Sequence, residues 1–381
     1  MIVPSPVSRT FASAALLTGL LFGPFHLSVP AAAPAGPTPS NAGRRLFERE
    51  TFGGNGRTCR TCHSLETGTV SPEDAQNRFV IDPKDPLFLA DGSDDGAGNG
   101  VNRMLLDATI LMKIQLPASV SLLNDPARLV TLRRGIPTTL NTPALDPVLM
   151  YDGRQPTLTS QALGALIDHA QPTKLPSEKD LQRIAEFELT ESFFSSDALL
   201  TFARTGQAPS LPLGTNDAET RGRRFFVDVA LAADDPRPGS CAICHSGPML
   251  NETNQFIPRA PFGRGGRFQN ISVSEFNSAN NPLFSFLFQN SDGTSKIVIS
   301  PDPGRALITG NAAEDGENLN AFKIPTLWGV ARTAPYFHDN SAKTLEDVMR
   351  HYQAYFAQFT PTINLTQGDQ SDIIAFLRLL Q

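Results

Sequence analysis

The chain has 381 residues, of which 40 % are hydrophobic and 18 % charged, with a formal net charge of −6. The acidic balance and the lack of a Lys/Arg run exclude nucleic acid as the main partner. The hydrophobic share is that of a globular protein, and 31 Pro with 29 Gly predict short helices joined by long ordered loops, a mainly α fold.

The opening residues follow the pattern of a secretory signal. Arg9 supplies a positive start, residues 11–22 (FASAALLTGLLF) an apolar run, and Ala31, Ala32 and Ala33 a cleavage site. Residues 1–33 are expected to be a signal peptide and 34–42 a linker. An uncleaved anchor is the alternative, but the run is shorter than the ~20 residues a bilayer core needs. No later stretch is long and apolar enough to span. An exported, periplasmic protein without stable membrane insertion after processing is expected.

Next comes GRRLFERETFGGNGRTCRTCH, in which Cys59, Cys62 and His63 form C-x-x-C-H. The loop DGSDDGAGNGVN (91–102) has oxygen side chains and a Gly where an EF-hand would, but Asn102 stands at the bidentate Glu position, which favours a solvated Asp/Gly loop. A strand is expected near 127–132. Helical spacing covers 158–168 and then 178–203, the second capped by Ser177. The Pro/Gly-rich stretch 205–217 reads as a linker.

The second half begins with GRRFFVDVALAADDPRPGSCAICHSG, where Cys241, Cys244 and His245 repeat the motif. Each G-R-R is read as the start of a short helix, so the flanks suggest a duplication. A strand is expected at 296–299. Helices follow at 344–359, capped by Thr344 with a carboxylate in its first turn, and at 366–380, opened by Thr366. A disulfide or zinc reading of the four cysteines makes His63 and His245 accidents, in a chain with only 6 His. The spacing has a mechanical sense instead. Two thiols add to the vinyl groups of one haem, and the adjacent His supplies an axial imidazole. Two covalently bound haem c groups are expected.

The two-haem layout, RRGIPTTLNTPALDPVLMYDGR (133–154) with LTSQALGALIDHAQ, and FKIPTLWGVARTAPYFHDNSAKTLEDVMRHY (322–352) together resemble the bacterial di-haem cytochrome c peroxidase and MauG superfamily. The resemblance implies two cytochrome c-like haem domains. Residues 43–205 would hold the peroxidatic haem and residues 215–381 the electron-transfer haem. On the distal side of the second haem such peroxidases use Met and MauG-type proteins Tyr. The matching position is Tyr352, with His351 and Met349 as competitors; a Tyr at the rim of the pocket is the plain alternative. His338, in PYFHDN, is expected near the haems, or is an ordinary loop histidine. Asn340 replaces the family's Gly after H-D.

The family resemblance also locates the reactive side. Typical peroxidases carry a His soon after the first motif that blocks the iron. None occurs here between His63 and His169, and Phe79 stands about where it is expected, so an open first haem is implied. The family's distal Glu matches Gln171, which orients peroxide but takes no proton at neutral pH. His169 then either takes over that proton transfer, ligates the iron, or merely ends a helix. Tyr151 replaces the family's Trp, and Trp328 is either a relay or a core residue. One Ca²⁺ is commonly held through carbonyls matching Thr333 and Pro335, although the expected Asn is Gly135 here. The implied enzyme reduces hydrogen peroxide at the N-terminal haem, with electrons relayed through the C-terminal haem from a small donor such as a cytochrome c or cupredoxin. The resemblance is also compatible with a homodimer. The alternatives are a MauG-like high-valent di-haem enzyme oxidising a protein or organic substrate, and a two-haem electron carrier.

Overall fold

The computed structural model describes residues 41–141, 143, 145–190, 194–254, 265–276 and 282–381. The expected signal segment and all but the end of its linker lie outside the described residues. So do residues 191–193 of the long helix expected over 178–203.

Helix α1 (Asn41–Arg49) leads to α2 (Cys59–Cys62), which is the first motif itself. Pro72–Ile81 forms α3, begun by a reciprocal Ser71–Asp74 cap, and Asn102–Asp107 forms α4. Three strands follow: β1 (Thr109–Gln115), β2 (Val120–Leu122) and β3 (Leu129–Gly135). Helix α5 (Leu158–Ala165) is capped by Thr157, and its end widens into a π turn over Leu166–Ala170. Then come α6 (Glu178–Thr190), α7 (Asp197–Thr205) and α8 (Asp217–Arg223). The second motif sits on a tight turn, Cys241–Ile243. Beyond it lie β4 (Phe268–Gln269), α9 (Val273–Phe276), β5 (Phe284–Gln289), β6 (Ser295–Ser300), α10 (Ala306–Thr309) and β7 (Phe322–Lys323). The chain closes with α11 (Leu345–Phe359) and α12 (Gln367–Leu377), each opened by the threonine cap that its sequence predicts.

Helix outweighs strand, but the fold is mixed rather than purely helical. Strands β1 and β3 pair antiparallel from Thr109–Gly135 to Gln115–Leu129. A second sheet runs β2-β5-β6, and β4 pairs with β7. The expected strand at 296–299 lies inside β6, and the one near 127–132 starts later and runs to Gly135. β1 was not anticipated. Its side chains alternate only loosely, and Leu111 and Met112 suit a helix as well as a strand.

The helix expected over 178–203 is two helices. Phe194 and Ser195 are buried, and Phe194 meets Phe47 and Phe187 edge-on at 5.4 and 5.3 Å. Ser196 is extended and precedes α7 as its cap residue. Burying that ring outweighs continuing the helix.

The two halves repeat one packing device. α1 crosses α6 at Gly43, where a Cβ would collide with the Arg183 carbonyl. α8 crosses α12 at Gly222, where a Cβ would collide with the Asp372 carbonyl. The first G-R-R lies near the start of its helix as expected. The second does not: α8 begins at the Asn216 cap, and Gly222 and Arg223 end it. Apolar side chains of α1, α5 and α6 form one core under the first motif, and those of α11 and α12, with Phe225 and Phe226, form another under the second.

Candidate functional site

Each C-x-x-C-H motif folds so that its histidine is aimed by the backbone. The His63 N–H donates to the Cys59 carbonyl at 3.0 Å and the His245 N–H to the Cys241 carbonyl at 2.9 Å. Each imidazole Nδ1 then lies 2.8 Å from the carbonyl five residues on, Gly68 for His63 and Leu250 for His245. A carbonyl only accepts, so Nδ1 carries the proton in both rings and Nε2 keeps its lone pair. Burial pushes both rings below the ordinary imidazole range, His245 to about 4, so both are neutral. A neutral imidazole with its second nitrogen tied to a carbonyl is the form a metal ligand takes. The four cysteines are free thiols. Burial raises all four, to about 12 for Cys59, Cys241 and Cys244. The donor set fits a haem c at each motif, held by Cys59, Cys62 and His63 in one case and by Cys241, Cys244 and His245 in the other.

A cavity of about 340 Å³ is lined by both His63 and His245. Its walls are mostly apolar, with Tyr151, Trp328, His338 and Tyr352 among them. A smaller cavity of about 60 Å³ is lined by His63, Cys59 and Cys62 together with Arg57, His169 and Glu188.

The polar side of the smaller cavity is a built cluster. His169 Nδ1 lies 2.5 Å from an Asp91 carboxylate oxygen. The other oxygen pairs with the Arg57 guanidinium. Arg57 is buried and also donates to the carbonyls of Pro86 at 2.8 Å, Leu87 at 3.0 Å, His169 at 3.2 Å and Leu89. Burial pushes the Asp91 carboxyl up, but the His169 ring and the Arg57 charge outweigh it and hold the group below the usual carboxylate range. Glu188 is the opposite case. It lines both cavities, its Oε2 has no hydrogen-bond partner among the described residues, and burial raises its carboxyl to about 8.

No family profile matches the chain. It is 25 % identical over 268 residues to cytochrome c551 peroxidase of Nitrosomonas europaea, covering 64 % of each chain. It is 26 % identical over 282 residues to the methylamine utilization protein MauG of Methylophilus methylotrophus, covering 67 % of this chain and 70 % of that one. Among solved structures, a MauG-like protein associated with microbial copper homeostasis matches with a TM-score of 0.50 and 19 % identity, over 91 % of this chain and 90 % of that one. These relatives support the resemblance to the di-haem cytochrome c peroxidase and MauG superfamily. The chain spans somewhat less than two thirds of the Nitrosomonas relative.

Tyr352 and Met349, the candidates named for the position opposite His245, both line the cavity that His245 lines. Burial raises the Tyr352 hydroxyl above its ordinary range. His351 turns away: its Nε2 lies 2.7 Å from the Ile271 carbonyl, and its ring meets Phe276 and Phe337. His338 is buried and lines the larger cavity, stacked on Phe322 at 3.6 Å and 3.8 Å from Asp302. Trp328 lines it too, with its indole N–H on the Pro248 carbonyl at 3.0 Å.

Around His63 the arrangement differs in detail from what the resemblance implies. Gln171 lines neither cavity. It is exposed, and its side-chain oxygen accepts from the Asn55 side chain at 3.5 Å. The π turn is what separates it from His169, since Gln171 ends that turn in a left-handed conformation at φ +53°. Phe79 packs edge-on against Phe88 at 5.3 Å and lines neither cavity. Thr333 and Pro335 line the larger cavity, and the Thr333 hydroxyl donates to the Val330 carbonyl at 3.2 Å. In the acidic loop, Asp94 accepts from the backbone of Asn102 and Arg103, and Asp95 from Ala97 and Asn99. Those carboxylates are spent on the loop's own backbone. Among the described residues, no cluster of three or more His, Cys, Asp or Glu forms a metal site, and no helix is long and apolar enough to cross a membrane.

Sequence reasoning missed Asp91 as a partner of His169, and missed Arg57 and Glu188. Asp91 and His169 are 78 residues apart, and no local pattern joins them. Arg57, two residues before Cys59, was the one local signal, because a cation beside a motif invites a search for its counter-charge.

Proposed function

We propose that this chain is an exported, periplasmic di-haem c-type oxidoreductase that reduces hydrogen peroxide at the site of Cys59, Cys62 and His63. Electrons would enter at the site of Cys241, Cys244 and His245 from a small donor such as a cytochrome c or cupredoxin. The observation that carries the reading is the pair of neutral imidazoles, each offering Nε2 to one shared cavity. When bound, haem c supplies the redox-active iron at each site. In the net reaction one peroxide takes two electrons and two protons and yields two waters.

The chain's own residues supply positioning and proton transfer. His63 and His245 would each hold the iron of a bound haem c through the ring nitrogen that their backbone carbonyls leave free. His169, with Nδ1 tied to Asp91, moves a proton between the peroxide oxygens through Nε2, the role general acid–base catalysis demands of such a site. Gln171, which lines neither cavity, is given no part in that work. Thr333 and Pro335 remain the candidate carbonyl donors for one Ca²⁺ at the rim of the larger cavity.

A reduced cytochrome c mixed with the haem-loaded protein should be oxidised when peroxide is added, two donor molecules per peroxide. His169→Ala should keep both haems by mass and lose about 100-fold or more in rate. No peroxide-dependent oxidation by the wild-type protein with any small donor overturns the reading. A second reading, MauG-like oxidation of a protein or organic substrate, is favoured by Tyr352 on the cavity of His245. Electron paramagnetic resonance of the oxidised protein separates the two, since a ferric haem with a phenolate ligand gives g values different from one with a thioether or no second protein ligand.

A further inference from the structure

We propose that Asp91 is the positioning residue of the peroxide site, with Arg57 as its clamp; this rests on the reading of His169 given above. A histidine that moves protons needs one nitrogen presented to the substrate and the other held. His169 lines the cavity of His63, Cys59 and Cys62. Asp91 holds its Nδ1 at 2.5 Å. An ionised carboxylate only accepts, so the proton sits on Nδ1 and Nε2 is left for the cavity. Without that acceptor the ring is free to adopt the other tautomer, with its lone pair turned away from the substrate.

The clamp makes the arrangement rigid. Arg57 spends its donors on Asp91 and on four main-chain carbonyls, those of Pro86, Leu87, Leu89 and His169. One side chain therefore ties together the approach to the first motif, the turn that carries Asp91 and the π turn that carries His169. The Asn55 backbone N–H adds a 2.9 Å bond to the Ala170 carbonyl, and the Asn55 side chain a 2.9 Å bond to the His169 carbonyl. The two stretches cannot slide past each other without breaking these bonds. A surface ion pair has no such framework. This one is 2 % exposed at Arg57 and 11 % at Asp91, and it lies against the wall of the cavity.

The test uses the haem-loaded chain and its Asp91→Asn and Asp91→Glu variants. Mass and thermal melting establish loading and folding. Asp91→Asn should lower kcat with peroxide by about 100-fold or more. The KM for the donor protein should hold, and the paramagnetic resonance signals of the first haem should shift. Asp91→Glu keeps the charge and should fall between the wild type and Asp91→Asn in both readouts. If Asp91→Asn keeps kcat within threefold while His169→Ala loses it, the positioning role is overturned and the peroxidase reading stands. If His169→Ala also keeps it, the base assignment itself is overturned. Where Asp91→Asn does not load, wild-type kcat and spectra in Asp91→Glu overturn the proposal.

Discussion

A carboxyl group that holds its proton at neutral pH is a donor rather than a charge, and Glu188 is such a group, raised to about 8 by burial. The folded chain binds that proton more tightly than an unfolded one does. Stability therefore falls as pH rises from the ordinary carboxyl range toward 8, by at most about 1.4 kcal/mol per pH unit. Glu188→Gln removes that slope. Its melting temperature relative to wild type should rise between pH 5 and pH 8; a difference that stays constant would mean Glu188 is ionised at lower pH. Single residues were legible only where chemistry is written locally. Cys59, Cys62 and His63 announce themselves by spacing, as do Cys241, Cys244 and His245. Glu188 and Asp91 do not, because what distinguishes them is a cavity wall and a partner far along the chain. Counting from a family motif named Gln171 with His169 beside it; of the two, His169 lines the smaller cavity, and Gln171 ends the π turn at 166–170 and lines neither.

Between elements, one exchange shows two segments adjusting to each other. Gly135 stands at the end of β3 where the superfamily resemblance leads one to expect Asn, and Asn340 stands where it leads one to expect Gly. A Cβ on Gly135 would land on the Asn340 side-chain oxygen. The Asn340 amide meanwhile donates to the carbonyls of Asp107 at 2.9 Å and Ala108 at 3.0 Å. At φ +57° Asn340 also occupies the left-handed region, which Asn tolerates and Gly prefers. Gly135→Asn alone should destabilise through overpacking by about 1–3 kcal/mol. Combined with Asn340→Gly it should cost less than the two separate effects added together, a coupling that denaturant melts of the four-member cycle will measure. Elements with capping boxes were readable in advance, Thr344 before α11 and Thr366 before α12 being the clear cases. The break between α6 and α7 was not, because Phe194 suits a helix face until its ring finds Phe47 and Phe187. Nor was β1, whose strand character comes from β3 rather than from its own pattern.

For the whole molecule, the sequence suggested two halves divided between 205 and 215, and several bonds cross that divide. β2 pairs with β5. Arg134 forks onto Asp302 at 2.7 and 2.8 Å and reaches Asp152 at 2.6 Å, all three buried. Asn141 donates to the Trp328 carbonyl at 2.9 Å, and Lys343 meets Asp107 at 3.0 Å. Arg134→Leu would leave Asp302 without its guanidinium partner and Asp152 with Arg154 alone. It should cost about 3–5 kcal/mol in a urea melt; a loss under 1 kcal/mol would mean the carboxylates are solvated or protonated instead.

The strand pairing of β2 with β5 also has a consequence in time. A chain that emerges from its amino end presents β2 more than a hundred and fifty residues before its partner exists. Contacts of such long separation form late. The core between β2, β3, β5 and β6 therefore closes only after the second half has arrived, whereas the core of α1, α5 and α6 draws on the first half alone.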